Sequence, residues 1–325
     1  MIRPGDPPAP KRASAVRAKR RSITAAHAEP PALDPVLSGD AALRQIGLAS
    51  LDHISRNEPA VLAGIDDGIH QMRVAVRRLR ATLSAFTELL PEEQRQWASA
   101  ELRWLADALG PARNLDVFET ALLKPAQRAS EDPRALEPLR RAAVRQRRAA
   151  HHTAANAVRS ARYAALMLHL FRWFDACGWR REGAEGSEKP IGGVAARALQ
   201  HRWRVAKKRG KGFAAQSVRQ RHRLRVALKK LRYTTESLSA LYPRNSTDRF
   251  TTRLKRLQDD LGHANDVRVG YDILAALASD AGHDKAVAKA GKRMLGWHER
   301  RLAHSEPKLR KHVRALFKSE PFWHR

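Results

Sequence analysis

From Leu37 onward, apolar residues recur every three or four positions with little interruption, the spacing that gathers them on one face of an α-helix. Long stretches rich in Ala, Leu, Arg and Glu are punctuated at Pro91, Gly110-Pro111, Pro125, Pro133, Pro190, Gly210, Pro243, Gly262 and Pro307. Proline and glycine at such points stop or kink helices. No segment alternates apolar and polar residues between hairpin turns, as half-buried strands do. The pattern predicts an all-α fold. Residues 1–36 depart from it: they are basic and Pro-rich, end in the PPALDP stretch, and read as a disordered tail.

The most regular segment sorts its residues by chemistry. At about 100° per residue, His70, Arg73, Arg77 and Arg80 fall within an arc of about 80° along roughly 15 Å of axis. Met72, Val76, Leu79, Leu83 and Phe86 lie opposite, and Arg78 lies on the flank. One face is made for burial and the other displays cations.

This segment occurs twice. HQMRVAVRRLRATLSAFTELLP from His70 aligns without a gap on HRLRVALKKLRYTTESLSALYP from His222, 152 positions later. The same offset carries Leu109-Gly110 onto Leu261-Gly262, and Arg141, Arg148 and His152 onto Arg293, Arg300 and His304. The chain therefore reads as two copies of one helical unit, 37–180 and 194–325, joined by a Gly-rich linker at 181–193. Four or so main helices per copy predict two four-helix bundles related by a pseudo-two-fold axis. In the second copy the stripe is His222, Arg225, Lys229 and Arg232, with Lys230 on the flank. A further stripe in each copy comprises Arg141, Arg145, Arg148 and His152, then Lys289, Arg293, Arg300 and His304. Like charges at helical spacing destabilise an isolated helix by a few tenths of a kcal/mol per pair, and a merely solvated face mixes signs. Stripes free of carboxylates point to an anion.

Charge enlarges this picture. Among 325 residues, 62 Lys and Arg face 33 Asp and Glu, a formal net charge of +29, and 43% hydrophobic residues support a packed core. Such an excess calls for a polyanion: nucleic acid, an anionic surface, acidic protein or phosphate polymer. Cys177 is the single cysteine, which excludes an intrachain disulfide framework and fits a reducing, cytoplasmic setting. The run from Ala164 to Phe174 is too short for a membrane span and includes His169 and Arg172. The N-terminal segment lacks the apolar core of a signal peptide.

The segments IHQMRVAVRRLRATLSAF, LGPARNLDVF, RHRLRVALKKLRYTTESL and LQDDLGHANDV, with the terminal PFW, resemble the CHAD domain, the conserved histidine α-helical domain. The resemblance spans about 37–325. It implies two four-helix bundles around a basic channel and binding of inorganic polyphosphate, often at cytoplasmic polyphosphate granules. His70, Arg73, Arg77, Arg78 and Arg80, with His222, Arg225, Lys229, Lys230 and Arg232, are the positions it marks. Some relatives carry an N-terminal triphosphate tunnel domain; a basic tail stands in that place here, so no hydrolase activity comes with the resemblance. Many relatives have Arg-Asp-x-Asp where this chain has Arg113-Asn114-Leu115-Asp116, which weakens a metal proposal for that loop.

Other residues take plainer roles. The histidines show no HExxH or Cys-His spacing, and His70 and His222 sit among cations, so no metal or other cofactor is expected. Gly110 and Gly262 suit helix C-termini, and Asn114 or Asp116, and Asn265 or Asp266, suit the N-caps that follow. The carboxylates Asp107, Asp116, Asp259, Asp260 and Asp266 read as capping and bracing groups. Trp173, Trp179, Trp203 and Trp297 read as packing residues rather than base-stacking platforms. The function expected is non-catalytic polyphosphate binding. The alternatives are a non-specific nucleic-acid binder and an accessory to a polyphosphate-metabolising enzyme. Weak nucleic-acid contact is expected through the tail, and no membrane partner.

Overall fold

A computed structural model describes residues 23–29, 31–180, 190–280 and 284–324. Helices dominate throughout, and β structure among the described residues is limited to one isolated bridge, Ser38 with Pro190.

The helices begin and end largely where side-chain chemistry dictates. α1 (Gly39–Ser55) is capped by Ser38, whose Oγ accepts the Ala41 N–H. α2 (Glu58–Leu62) has Pro59 in its first turn, where the missing N–H costs nothing. α3 (Asp66–Ala85) carries the first motif, and α4 (Glu92–Ala108) starts after Pro91. α5 (Gly110–Val117) runs through a π-helical segment, Phe118–Leu123, into α6 (Lys124–Arg128). α7 (Glu137–Arg159) and α8 (Ala161–Asp175) meet at Ser160, whose hydroxyl caps α8 by accepting the Tyr163 N–H. α9 (Ile191–Gly210) precedes α10 (Val218–Leu238), which opens with a capping box of Ser217 and Gln220 and carries the second motif. α11 (Arg244–Asp280) and α12 (Lys285–Phe317) complete the set.

α3 packs against α10, so the two motif helices touch. Their buried faces, including Met72, Val76 and Leu79 on one side and Leu224, Leu228 and Leu231 on the other, join one large core. A second core interlocks the halves of the chain: Phe118 and Leu122 of the π segment and Leu139 of α7 pack with Val267, Met294 and Leu295 of α11 and α12.

Several expectations need correction. Gly262 lies inside α11, and Pro307 inside α12. A glycine costs a helix about 1 kcal/mol and an interior proline about 3 kcal/mol. Buried Leu254, Leu257 and Leu261 before Gly262, and Leu309, Val313 and Leu316 after Pro307, anchor both helices across those points. Pro125 does not end a helix either, since it sits in the first turn of α6 directly after the π segment. Asn114, Asp116, Asn265 and Asp266 are helix-interior residues, not N-caps.

The N-terminal segment is also more ordered than expected. Ala26 donates its N–H to Asn57 Oδ1 at 3.1 Å and accepts Asn57 Nδ2 at 3.0 Å, while Leu33 is buried in the main core. Residues 23–29 and 31–36 therefore strap α1 and α2. Residues 1–22, and most of the linker at 181–193, lie outside the described residues.

A basic cleft as candidate functional site

A cavity of about 390 Å³ opens where α3, α5, the π segment, α10 and α11 converge. Burial of the apolar face of α3 leaves His70, Arg73 and Arg77 on the side facing this cavity, and α10 presents His222, Arg225 and Lys229 to it in the same way. Each residue of the first triplet lies 152 positions before its counterpart in the second. Phe118, Leu122 and Ile273 give the cavity an apolar side, while Arg113, Asn114, Asn265, Asp266 and Arg268 complete the polar one.

Charge is concentrated here with little neutralisation. Among the described residues, Arg77, Arg113, Arg225 and Lys229 make no ion pair. Asp266 is the one carboxylate in the lining. Arg73 donates Nη1 to the carbonyl of Ala106, near the end of α4, and its buried Nε has no partner; Arg225 Nε is likewise orphaned. His222 donates Nδ1–H to Asn265 Oδ1 at 3.2 Å, leaving Nε2 free for another contact.

Burial without counter-charge depresses the basic groups. Desolvation, followed by the charges of Arg77 and Arg225, lowers the Lys229 ammonium to about 7. Desolvation and Arg113 bring His70 down to about 4, and desolvation with Arg77 brings Arg73 to about 10. Arg113 and Arg225 are lowered too, burial again leading. The arrangement favours an entering anion, which would raise all of these groups and bring Lys229 to full charge.

The remaining sequence-predicted residues lie elsewhere. Arg80 sits one turn beyond the lining, where burial and then Arg103 lower its pKa. Lys230, on the flank and only partly covered, is depressed by that partial desolvation and then by Arg202, Arg209 and Arg80. Arg78 points away from the cleft and pairs with Glu236 at 2.8 Å, and Arg232 pairs with the same carboxylate at 2.6 Å. Glu137 holds Arg141 at 3.1 Å. The expectation of stripes free of carboxylates thus fails at Arg232 and Arg141, because Glu236 and Glu137 stand one turn away.

The second stripes do not reach the cleft. α7 buries Leu139, Ala142, Ala143, Ala154 and Val158, which turns Arg141, Arg145, Arg148 and His152 to solvent. Arg141 and Arg145 border a separate hollow with Arg134, Glu137 and Asp284. Lys289, Arg293, Arg300 and His304 are exposed on α12.

Arg113, Asn114, Asn265, Asp266 and Arg268 are lining residues that sequence reasoning left out of the site. The signal was continuity: a helix uninterrupted at Gly262 puts Asn265 and Arg268 one turn apart on one face.

One group among the described residues brings metal-type ligand atoms together: Asp66, Asp116 and His151, all within 4.8 Å of one another. Arg147 already serves it, donating Nε to Asp116 at 2.8 Å and Nη2 to Asp66, and His151 Nε2 lies 2.8 Å from Asp116. Asp116 thereby braces α5 against α7.

Comparison with known proteins identifies the family and the fold. A family model described as the CHAD domain matches residues 45–275. The uncharacterized proteins Rv2226 and MT2285 of two Mycobacterium tuberculosis strains are 32% and 31% identical over 243 residues, 69% of this chain. The chain spans 44% of the length of these relatives. The crystal structure of the CHAD domain from the plant Ricinus communis superposes with a TM-score of 0.79 at 29% identity, covering 92% of this chain and 98% of that one. PptA from Streptomyces chartreusis shares the fold, with a TM-score of 0.62 at 19% identity over 87% of this chain and 100% of its own.

Proposed function

This chain belongs to the CHAD domain family, and from that premise we propose that its basic cleft binds inorganic polyphosphate without catalysis. The observation that carries the reading is the convergence of His70, Arg73 and Arg77 with His222, Arg225 and Lys229 on one cavity. Arg offers a planar fork of donors to phosphate oxygens, and Lys a mobile point charge. Cations held together in a half-buried cleft repel one another, and a chain of phosphates relieves that repulsion along its length. Asp266 is the lone carboxylate of the lining, which favours holding the polymer over the Mg²⁺-assisted hydrolysis that gathered carboxylates would serve.

The finer architecture belongs to the same proposal. Two bundles, 37–180 and 194–325, are related by a pseudo-two-fold axis passing between α3 and α10, and the cleft is the middle of a basic channel across it. Equivalent residues from both copies then grip one polymer. The protein acts at polyphosphate granules in the cytoplasm. No helix among the described residues is long and apolar enough to cross a membrane.

A competition titration tests the reading. Labelled protein is saturated with long-chain polyphosphate, and double-stranded DNA of matched phosphate concentration is added at fixed ionic strength. A cleft between helices admits a thin chain and excludes a duplex, so DNA should displace little polymer. Equal competition would hand the lead to a nucleic-acid function.

A further inference from the structure

Beside the basic cleft lies a second cavity, of about 610 Å³, between the first turns of α10 and the middles of α11 and α12. The two cavities share His222, Arg225, Asn265 and Arg268, so one continues into the other. Their chemistry differs. Away from the shared residues the second is lined mainly by Val218, Ala264, Leu302, Ala303 and Leu309, with the ring of Tyr271 at its edge. Its carboxylates are already engaged: Glu306 accepts Arg221 and Arg310, Glu299 accepts the Tyr271 hydroxyl, and Asp260 is paired with His312. They make no call for a cation. The buried, unpartnered Nε of Arg225 lies at the junction.

The first copy of the motif shows that the fold does not require this space. The residues 152 positions before Val218, Arg268, Glu299 and Ala303 are Asp66, Asp116, Arg147 and His151. Those four close on one another in a hydrogen-bonded network, and α2 packs on α3 and α7 beside it with Ala60 and Val61 fully buried. In the second copy Val218 and Ala303 replace two of the four, and Arg268 and Glu299 turn instead to Asp272 and the Tyr271 hydroxyl, so the network does not form. The three-residue 3₁₀ turn Phe213–Ala215 stands in place of α2. One end of the cleft is filled, and the other opens into an apolar chamber.

We propose that this chamber receives the organic body of an oligophosphate ester whose phosphates lie in the basic cleft. The inference rests on the phosphate-binding reading of the cleft. Its volume falls within the usual range of small-molecule sites, about 300–1,000 Å³, where an apolar lining with a few convergent polar groups is the norm. The phosphates meet His222, Arg225 and Arg268 at the junction, and the body loses water against Leu302, Ala303 and Tyr271. A planar nucleoside and an aliphatic chain both satisfy this chemistry.

Isothermal titration with matched pairs tests it at one ionic strength: ATP against tripolyphosphate, and farnesyl diphosphate against pyrophosphate. Each inorganic ion carries at least the charge of its ester, so any advantage of the ester reports the organic body. The expected result is about tenfold tighter binding of the ester in at least one pair, and the pair distinguishes planar from aliphatic occupants. Ala264→Trp, which fills the chamber, should abolish that advantage and leave tripolyphosphate and long-chain polyphosphate affinities unchanged. Circular dichroism checks folding, and Ala303→Trp, at an exposed position, serves if the first variant unfolds. Esters that bind no tighter than the inorganic ions, or an advantage that survives filling, overturn the proposal. If neither inorganic ions nor long-chain polyphosphate bind, the cleft reading fails and takes this one with it.

Discussion

Arg77 and Lys229 occupy the same place in the two copies of the motif and face one cavity from α3 and α10. After burial, the charge of Arg77 is the largest influence holding the Lys229 ammonium near neutrality. Two like charges brought together by the packing of distant segments store repulsion that a bound anion releases.

Exchanging either member of this pair for a neutral side chain should weaken polyphosphate binding to a similar degree. Arg77→Gln and Lys229→Gln each remove a charge-assisted contact worth about 1.5–3 kcal/mol, roughly a tenfold to hundredfold loss. Affinity should also fall steeply with salt, by analogy with counterion release from DNA, and both variants should flatten that slope. Normal binding by one variant and abolished binding by the other would mean that the copies do not share the polymer.

The pH dependence follows from the lowered pKa of Lys229. Between about 7 in the folded protein and about 10.4 in an unfolded chain, the unfolded state holds the extra proton, so stability rises with pH across that window. Below it both states are protonated and this contribution is constant. His70, lowered to about 4, adds the same sign between about 4 and 6.5, stability being lost as pH falls. Bound polyphosphate should flatten this trend near neutrality, because it keeps Lys229 protonated in the folded state as it is in the unfolded one, and binding there takes up a proton. Urea midpoints of wild type and Lys229→Met across pH 6–10 check this: the difference between them should change above about pH 7. A pH-independent difference would refute the assignment.

The outer stripes should be dispensable for the cleft. Replacing Arg141, Arg145 and Arg148, or Arg293 and Arg300, with Gln removes charges that are solvent-exposed on α7 and α12. Polyphosphate affinity should stay within about threefold at moderate salt, where separated exposed charges are screened. A loss matching that of Arg77→Gln would show that the polymer wraps the outside of the bundle.

Glu236 bridges Arg78 of α3 and Arg232 of α10 at 2.8 and 2.6 Å. Glu236→Gln leaves two half-buried guanidinium groups without their shared counter-charge and should cost about 1–3 kcal/mol of stability, somewhat less than loss of a fully buried partner. Polyphosphate affinity of the folded variant should be retained, since neither arginine lines the cleft. Denaturant titration and ligand titration of the same sample separate the two effects.

Truncation divides the N-terminal segment at a definite place. Chains lacking residues 1–22 and 1–36 differ by the strap alone. Removing residues 1–36 takes away buried Leu33 and the partner of both Asn57 amide groups at Ala26, for about 2–4 kcal/mol. Equal midpoints for the two truncations would show that the strap adds nothing.

The sequence by itself determined the helical class, the doubled motif and the face on which each motif helix carries its cations. Those follow from periodicity, because a helix fixes the angle between side chains once the spacing is known. It also determined that Met72, Val76 and Leu79 lie opposite His70, Arg73 and Arg77. Tertiary structure decided what each face meets. The Arg stripe of α7 has the same local pattern as that of α3, yet it faces solvent while the other faces α10 and α11, since the neighbours of a helix are set by segments far away in the chain. Arg113 and Arg268 entered the site, and Arg78 and Arg232 left it for Glu236, for that reason. Gly262 and Pro307 misled as helix ends because buried leucines on the flanking turns outweigh a local cost of about 1–3 kcal/mol, and such burial exists only when the chain is packed.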